Sequence, residues 1–346
     1  VKVDTGLPTQ LRAAATAATA REAEGYDGLW TAETDHDPFL PLAIAAEHTE
    51  HAELGTGIAV AFARNPMTLA NIAYDLQAFS GRFILGLGTQ IRPHITRRFG
   101  MPWSKPVDRM RELVSAIHAI WQAWNTDTQL DFRGDFYTHT LMTPMFNPGP
   151  NPNGDPRIYI AGVGPRMTEL AGEVGDGFLC HGFMTQRYLT EVTLPALRRG
   201  RARAGQTLED FEISLPGFIV TGDTQEEMAL VGAAVRKQLA FYASTPAYRS
   251  VLELHGWGEL QHELNRMSKQ GRWDAMGELI DNQILATFAV VAEPPNLAVE
   301  LRKRWGDLVS RIGFYGLDYY APRAPASSHW PSVISDLKSD RRSQPR

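Results

Sequence analysis

Cysteine is almost missing from this chain: Cys180 stands alone among 346 residues. A single thiol excludes an intramolecular disulfide and a cysteine-built zinc site. Long apolar runs are missing too, as no stretch approaches a membrane span and no basic-then-apolar leader opens the sequence. A surplus of positive charge is absent. The formal net charge is -5, which argues against a nucleic-acid or anionic-membrane partner. There is no Gly-x-Ser-x-Gly stretch, which removes the usual hydrolase elbow. His48, His51, His118, His139, His255 and His262 show no ligand spacing, so no metal site is expected. What remains, 43% hydrophobic with 21% charged residues, is an ordinary soluble globular composition. The expectation is a cytoplasmic enzyme acting on a small molecule.

The length suits one large α/β barrel or two ordinary domains. Short apolar runs alternate with helical patterns along the whole chain. Strands are expected at Val1–Leu7, Gly28–Ala32, Gly55–Ala61, Arg82–Leu87, Ile158–Ala161, Gly177–Cys180, Glu212–Val220 and Val309–Tyr315. Between them lie helices at Thr9–Glu24, Leu40–His51, from Asn65-Pro66 onward, Pro106–Trp124, Arg166–Val174 and from Thr224 onward. Asn65 caps and Pro66 occupies the first helical position, where its missing amide costs nothing. Residues 243–283 read as extra helices, and Asp127–Tyr137 as a small excursion. Eight strands separated by helices point to a closed (β/α)8 TIM-like barrel with insertion segments. The Pro-, Gly- and Asn-rich stretch Phe146–Arg157 is either a loop of that barrel or a linker between two domains. Residues 1–320 read as the barrel domain, and 321–346 as a polar C-terminal tail.

Catalytic groups of a parallel barrel come from the C-terminal ends of its strands. "WTAETDHDPF" (Trp30–Phe39) follows the second strand and crowds Glu33, Asp35 and Asp37 around His36. A histidine flanked by carboxylates can exchange a proton near neutral pH; alternatively Asp35 or Asp37 caps the next helix and His36 is solvated loop. Gly57, inside an apolar strand, marks either close packing or a surface open to a flat ring. "GLGTQ" (Gly86–Gln90) lacks the third glycine of a dinucleotide fingerprint and does not open a helix at once. Its glycines would instead let a ligand approach the strand end. In "IYIAGVGPRMTELAGEVGDG" (Ile158–Gly177) a strand runs through Gly162-Val163-Gly164 into a helix begun by Pro165. Open amides there, with Arg166 in the first turn, favour a bound anion such as phosphate. Cys180-His181 ends the sixth strand, where buried packing competes with a place at the same mouth. Trp103, Phe136, Tyr137, Trp257 and Trp273 could line an apolar substrate pocket or serve as core.

The ordered set "ETDHDPF", "GTGIAV…RNP", "GRFILGLGTQ", "YIAGVGPRMTELAGEVGDGFLC" and "RIGFYG" resembles the luciferase-like monooxygenase superfamily, in particular its branch using the deazaflavin coenzyme F420. The resemblance runs from about Val1 to Tyr320. It implies a TIM-like barrel, an oxidoreductase activity with hydride transfer to or from F420, and pairing as a homodimer. It implies that His36 sits at the reactive carbon and that Asp35 contacts the ring. It also implies a non-prolyl cis peptide at Gly57-Ile58 against the ring's back face, with Ala59 and Val60 following along the ring. Thr89, Gln90 and His94 match ring or ribityl contacts, and Val163, Gly164, Arg166 and Met167 match the phosphate site. Some dehydrogenase members carry a glutamate at the Gln90-Ile91 position; this chain has none, which weakens a sugar-phosphate assignment. Alternatives are an FMN-dependent monooxygenase of the same superfamily and, in another class, a non-catalytic flavin- or F420-binding protein.

Overall fold

Parallel strands buried on both faces require apolar runs bounded by turn formers, and this chain provides eight of them. The structure is a computed structural model and describes residues 1–314 and 329–339. In chain order its strands are β1 (Lys2–Gly6), β2 (Gly28–Thr31), β3 (Glu53–Thr56), β4 (Ala59–Val60), β5 (Phe83–Gly88), β6 (Phe132–Arg133), β7 (Thr138–His139), β8 (Arg157–Ala161), β9 (Gly177–Leu179), β10 (Glu212–Val220), β11 (Ala289–Val291) and β12 (Arg311–Phe314). β1, β2, β3, β5, β8, β9, β10 and β12 pair in that order, all parallel, and β12 returns to β1 with Ile312 opposite Val3. The sheet is a closed eight-stranded barrel wrapped in helices.

Each expected barrel strand lies where the apolar run stood, with two adjustments. The third run is divided into β3 and β4 at Gly57-Ile58. The eighth is described only to Phe314, so its expected end at Tyr315 lies outside the described residues. β11 is an addition: three residues beside the upper half of β10, with Phe218 opposite Ala289. The stretch 146–157 leads into β8, which pairs with β5 in the same sheet. It is stapled to helix Pro66–Ser80 by Tyr74 Oη donating to the Gly149 carbonyl (2.9 Å) and by Asn151 Nδ2 donating to that of Tyr74 (3.0 Å).

Helix starts follow local chemistry. Asn65 Oδ1 accepts from the Thr68 amide at 2.9 Å, and the helix ends on Gly81 in the left-handed region, φ 67°. Helix Gln225–Ala243 opens with a reciprocal Thr224–Glu227 capping box. Within the stretch read as a tail, Trp330–Ser339 forms a helix. Its Val333, Ile334 and Leu337 fall on one face and are buried, and Lys338 binds Asp27 at 2.8 Å beneath the barrel. The rest of that stretch, 321–328 and 340–346, lies outside the described residues.

Inside the barrel, side chains alternate inward and outward with period two. At the strands' N-terminal ends, Arg311 is fully buried and clasps Asp4 through two bonds of 2.7 Å. Glu53, Glu212, Lys2 and Arg157 complete a neutral network around it. Above this floor, Trp30, Ile58, Ile84, Tyr159, Ala161 and Leu179 pack as an apolar layer. Glycines make room for it: a Cβ at Gly55 would lie 2.4 Å from the Trp30 ring, and one at Gly177 2.6 Å from Tyr159.

Candidate active site at the barrel mouth

The loop after β2 is built around two carboxylates that leave a third exposed. Thr31 Oγ1 donates to the Pro38 carbonyl at 2.7 Å and closes the loop. Glu33 is buried: its amide donates to the Ile58 carbonyl at 3.1 Å, and its Oε2 accepts from the Val60 amide at 2.7 Å and Arg64 Nη1 at 2.6 Å. Asp37 takes the capping role, accepting from the Phe39 and Leu40 amides at 2.8 and 3.3 Å, and it binds the other arm of Arg64 at 3.0 Å. Asp35 is therefore not the cap. Its carboxylate stands 3.5 Å from His36 Nε2, and both side chains are half or more exposed. The Thr34 hydroxyl, donating at 2.8 Å, holds the Asp35 carboxyl below its ordinary range, helped by its own amide and by the charges of His36 and Arg98. Arg98 also donates to the Thr34 carbonyl and ties the turn after β5 to this loop.

Beside the loop, and bonded to it through the Glu33 amide, the Gly57-Ile58 peptide is cis, where the resemblance put one. A Cβ on Gly57 would meet nothing nearer than the Trp30 ring at 3.5 Å, so packing does not demand a glycine there; the crowded position is Gly55. Gly57 is exposed and Ile58 half-buried, whereas Ala59 and Val60 are completely buried. Those two residues form β4 and pair with Leu87 and Gly88 of β5. Gly86 and Gly88 do not receive a ligand. A Cβ at Gly86 would lie 1.8 Å from the Thr56 carbonyl, and one at Gly88 2.9 Å from Ile58, so both serve strand packing.

Thr89 and Gln90 follow at the rim, half-buried. Gln90 adopts φ 57° and turns its Oε1 to the Ile91 amide at 3.2 Å, while Thr89 Oγ1 donates to the Gln90 carbonyl at 3.0 Å. His94 is exposed on the irregular turn His94–Arg98. After β8, helix Pro165–Val174 begins at Gly164 with no side-chain cap. A Cβ at Gly164 would meet no atom within 4 Å, so open space lies before the amides of Arg166 and Met167. Arg166 is exposed, and Met167 packs over Gly162 beside the half-buried Val163. After β9, Cys180 is buried and its thiol is pushed up by that burial, a packing residue. His181 follows, its Nδ1 accepting from the Phe183 amide at 3.0 Å and its ring stacked on Tyr248.

The aromatics singled out in the sequence have packing partners of their own. Trp103 packs edge-on against Phe62, the Tyr137 hydroxyl accepts from Arg109, Trp257 stacks on His255, and Trp273 sits on an outer helix face with Phe241. Glu33 and Arg64 were not singled out as site-builders, although both lie inside the quoted motifs.

Comparison with known proteins gives the same architecture. The family model described as luciferase-like monooxygenase matches residues 1–309. The chain is 57% identical to the uncharacterized protein Rv1360 of Mycobacterium tuberculosis over 90% of this chain and 92% of that one. It is 29% identical to the F420-dependent glucose-6-phosphate dehydrogenase of Intrasporangium calvum, over 85% and 81%. The coenzyme F420-dependent tetrahydromethanopterin reductase of Methanopyrus kandleri superposes with a TM-score of 0.76, 18% identity and 97% of both chains. An FMN complex, the oxygenating constituent of 3,6-diketocamphane monooxygenase of Pseudomonas putida, superposes at 0.68 with 17% identity and 96% of both chains. At these identities the two structures establish the fold alone.

Proposed function

The chain belongs to the luciferase-like monooxygenase family, and from that membership we propose that it is an oxidoreductase that uses coenzyme F420. The observation that carries the reading is the exposed Asp35-His36 pair. Glu33 and Asp37 are consumed by Arg64 and backbone amides, and the remaining carboxylate–imidazole pair is half or more exposed at the end of β2, next to the strand that carries Gly57-Ile58. The mouth fits a flat ring with a phosphate tail. Gly57 carries no side chain where none is forbidden, and uncapped amides with a cationic side chain stand before open space at Gly164. Asp35, His36, Gly57 and Ile58 would hold the ring, Thr89, Gln90 and His94 its rim, and Val163, Gly164, Arg166 and Met167 the phosphate. When bound, F420 supplies one carbon that gives or takes a hydride.

His36 would manage the accompanying proton through its imidazole, the side chain type suited to general acid–base work. Asp35, 3.5 Å from the imidazole, would orient His36. The brace of Glu33, Arg64 and Asp37 fixes the loop so that this pair is presented in one geometry. The identity of 29% to an F420 enzyme supports this cofactor over FMN.

The test is His36→Ala, assayed by following F420 fluorescence with a panel of alcohols and ketones. Turnover falls at least about a hundredfold while F420 affinity stays within a few fold. Turnover close to the parent protein's rules the role out. Oxygen uptake with reduced FMN, in place of F420 turnover, would assign the monooxygenase chemistry instead.

A further inference from the structure

A helix on the outside of a barrel turns one apolar stripe inward and a polar face to solvent; helix Gln225–Ala243 has apolar residues on both. Val231, Val235 and Leu239 are buried on its inner side. The opposite stripe, Glu226, Leu230, Ala233, Lys237 and Phe241, recurs at helical spacing and is exposed. Beside it the short helix Trp273–Met276 runs the other way, with the Trp273 ring 6.1 Å from that of Phe241 and Gly277 set against Lys237. A groove lies between the two, lined by Leu230, Ala233, Ala234, Phe241 and Trp273 among others. Leu230 is 49% exposed, Phe241 48% and Trp273 50%. With the two alanines they present roughly 350 Å² of apolar surface, the size at which a patch on a monomer is often functional.

The face is complementary to itself when two copies of it lie antiparallel. With Leu230 opposite Phe241 of a second copy, Ala233 faces Gln238 and Ala234 faces Lys237, so each small side chain receives a long one. Lys237 is neutralised by Asp274 at 2.8 Å, which lets the two lysines approach. The ends match in charge. Glu226 lies one turn before Leu230, and Arg272 precedes Trp273 at the Phe241 end; both are exposed. The antiparallel register sets Glu226 of each copy against Arg272 of the other. A parallel one would set Glu226 against Glu226 and Arg272 against Arg272.

We propose that a second copy of this chain covers this face, the two helices Gln225–Ala243 packing antiparallel about a two-fold axis between Ala234 and Lys237. This does not rest on the cofactor reading and goes beyond it. The two copies bury about 700 Å² of apolar surface; at the apolar share of an ordinary interface, about 57%, the total is about 1,200 Å², the lower end of specific dimers. Such a pair dissociates in the micromolar range.

The test is sedimentation velocity of the purified chain over roughly 1–200 µM, across which the dimer forms. Leu230→Glu, at a half-exposed position that buries no charge within one copy, weakens association at least about a hundredfold by setting two carboxylates into the apolar seam. Glu226→Arg and Arg272→Glu each weaken it about tenfold, and the double variant returns to within about threefold of the parent. Within one copy these two residues stand roughly the helix's length apart, about 28 Å, well beyond a Debye length. Recovery in the double variant therefore reports contact between copies and not a change of fold. Should copies also pair through another face, the same substitutions lower the assembly by one step and decide the question equally. A chain that stays monomeric up to about 200 µM, an assembly unchanged by Leu230→Glu, or a double variant as weak as its singles overturns the proposal.

Discussion

Removing the Glu33 carboxylate should loosen the candidate site and destabilise the whole barrel. Glu33 is buried and joins three parts of the mouth: its own loop, the Val60 amide beyond the cis peptide, and Arg64 before helix Pro66–Ser80. Glu33→Ala leaves that amide and one arm of the guanidinium without an acceptor. Breaking a buried ion pair by deleting one partner costs about 3–5 kcal/mol. Asp37 still holds the other arm of Arg64 at 3.0 Å, so the lower end, about 3 kcal/mol, applies. Glu33→Gln keeps an acceptor for the Val60 amide and loses only the charge, at about 1 kcal/mol. The assay is urea unfolding followed by tryptophan fluorescence, with an unchanged slope and a lowered midpoint. A double-mutant cycle with Arg64→Ala should return a coupling of about 2 kcal/mol. F420 affinity falls about tenfold in Glu33→Ala, because the Asp35-His36 loop loses its anchor. A cost below about 1 kcal/mol together with unchanged affinity would refute the brace.

Two further outcomes follow from the charges at either end of the barrel. Burial raises the Glu53 carboxyl, but Arg311, Lys2 and Arg157 overcome this and bring it to about 2 from an ordinary 4.5; Glu212 is lowered in the same way, whereas burial keeps Asp4 raised. A lowered folded-state value stabilises above the unfolded one and is lost on acidification. Unfolding free energy should therefore drop between about pH 4.5 and pH 2, by at most about 3 kcal/mol for Glu53, with Asp4 offsetting part of it; Glu53→Gln flattens this slope in urea titrations across that range. Gly164→Asp should separate stability from binding: an N-cap carboxylate adds a few tenths of a kcal/mol to the helix, yet it fills the anion position and weakens F420 at least about tenfold, read by thermal unfolding and fluorescence titration.

The barrel was legible because its strands are buried on both faces and read as unbroken apolar runs, and because Asn65-Pro66 and Thr224 announce their helices in a few residues. β11 was not, since three residues give no periodicity, and helix Trp330–Ser339 was masked by the polar composition around it. At the site, the acidic cluster around His36 stood out, but which aspartate caps was undecidable from spacing. Contact with Arg64 resolves it, and Arg64 lies 27 residues from Asp37 in sequence. The same distance problem hid the Glu33 brace, the Asp4–Arg311 clasp across 307 residues, and the His181–Tyr248 pair across 67. Glycines misled in one case: Gly86 and Gly88 suggested room for a ligand, whereas the Thr56 carbonyl and Ile58 fill that room.

The central claim, that this mouth holds F420, is tested most directly by titrating purified apo-protein with F420 and, separately, with FMN, following fluorescence at several ionic strengths. F420 should bind at least about tenfold tighter than FMN, and its affinity should weaken with salt as expected for a phosphate held by amides and Arg166. Tight FMN binding with weak or no F420 binding would contradict it and leave His36 without the role assigned to it.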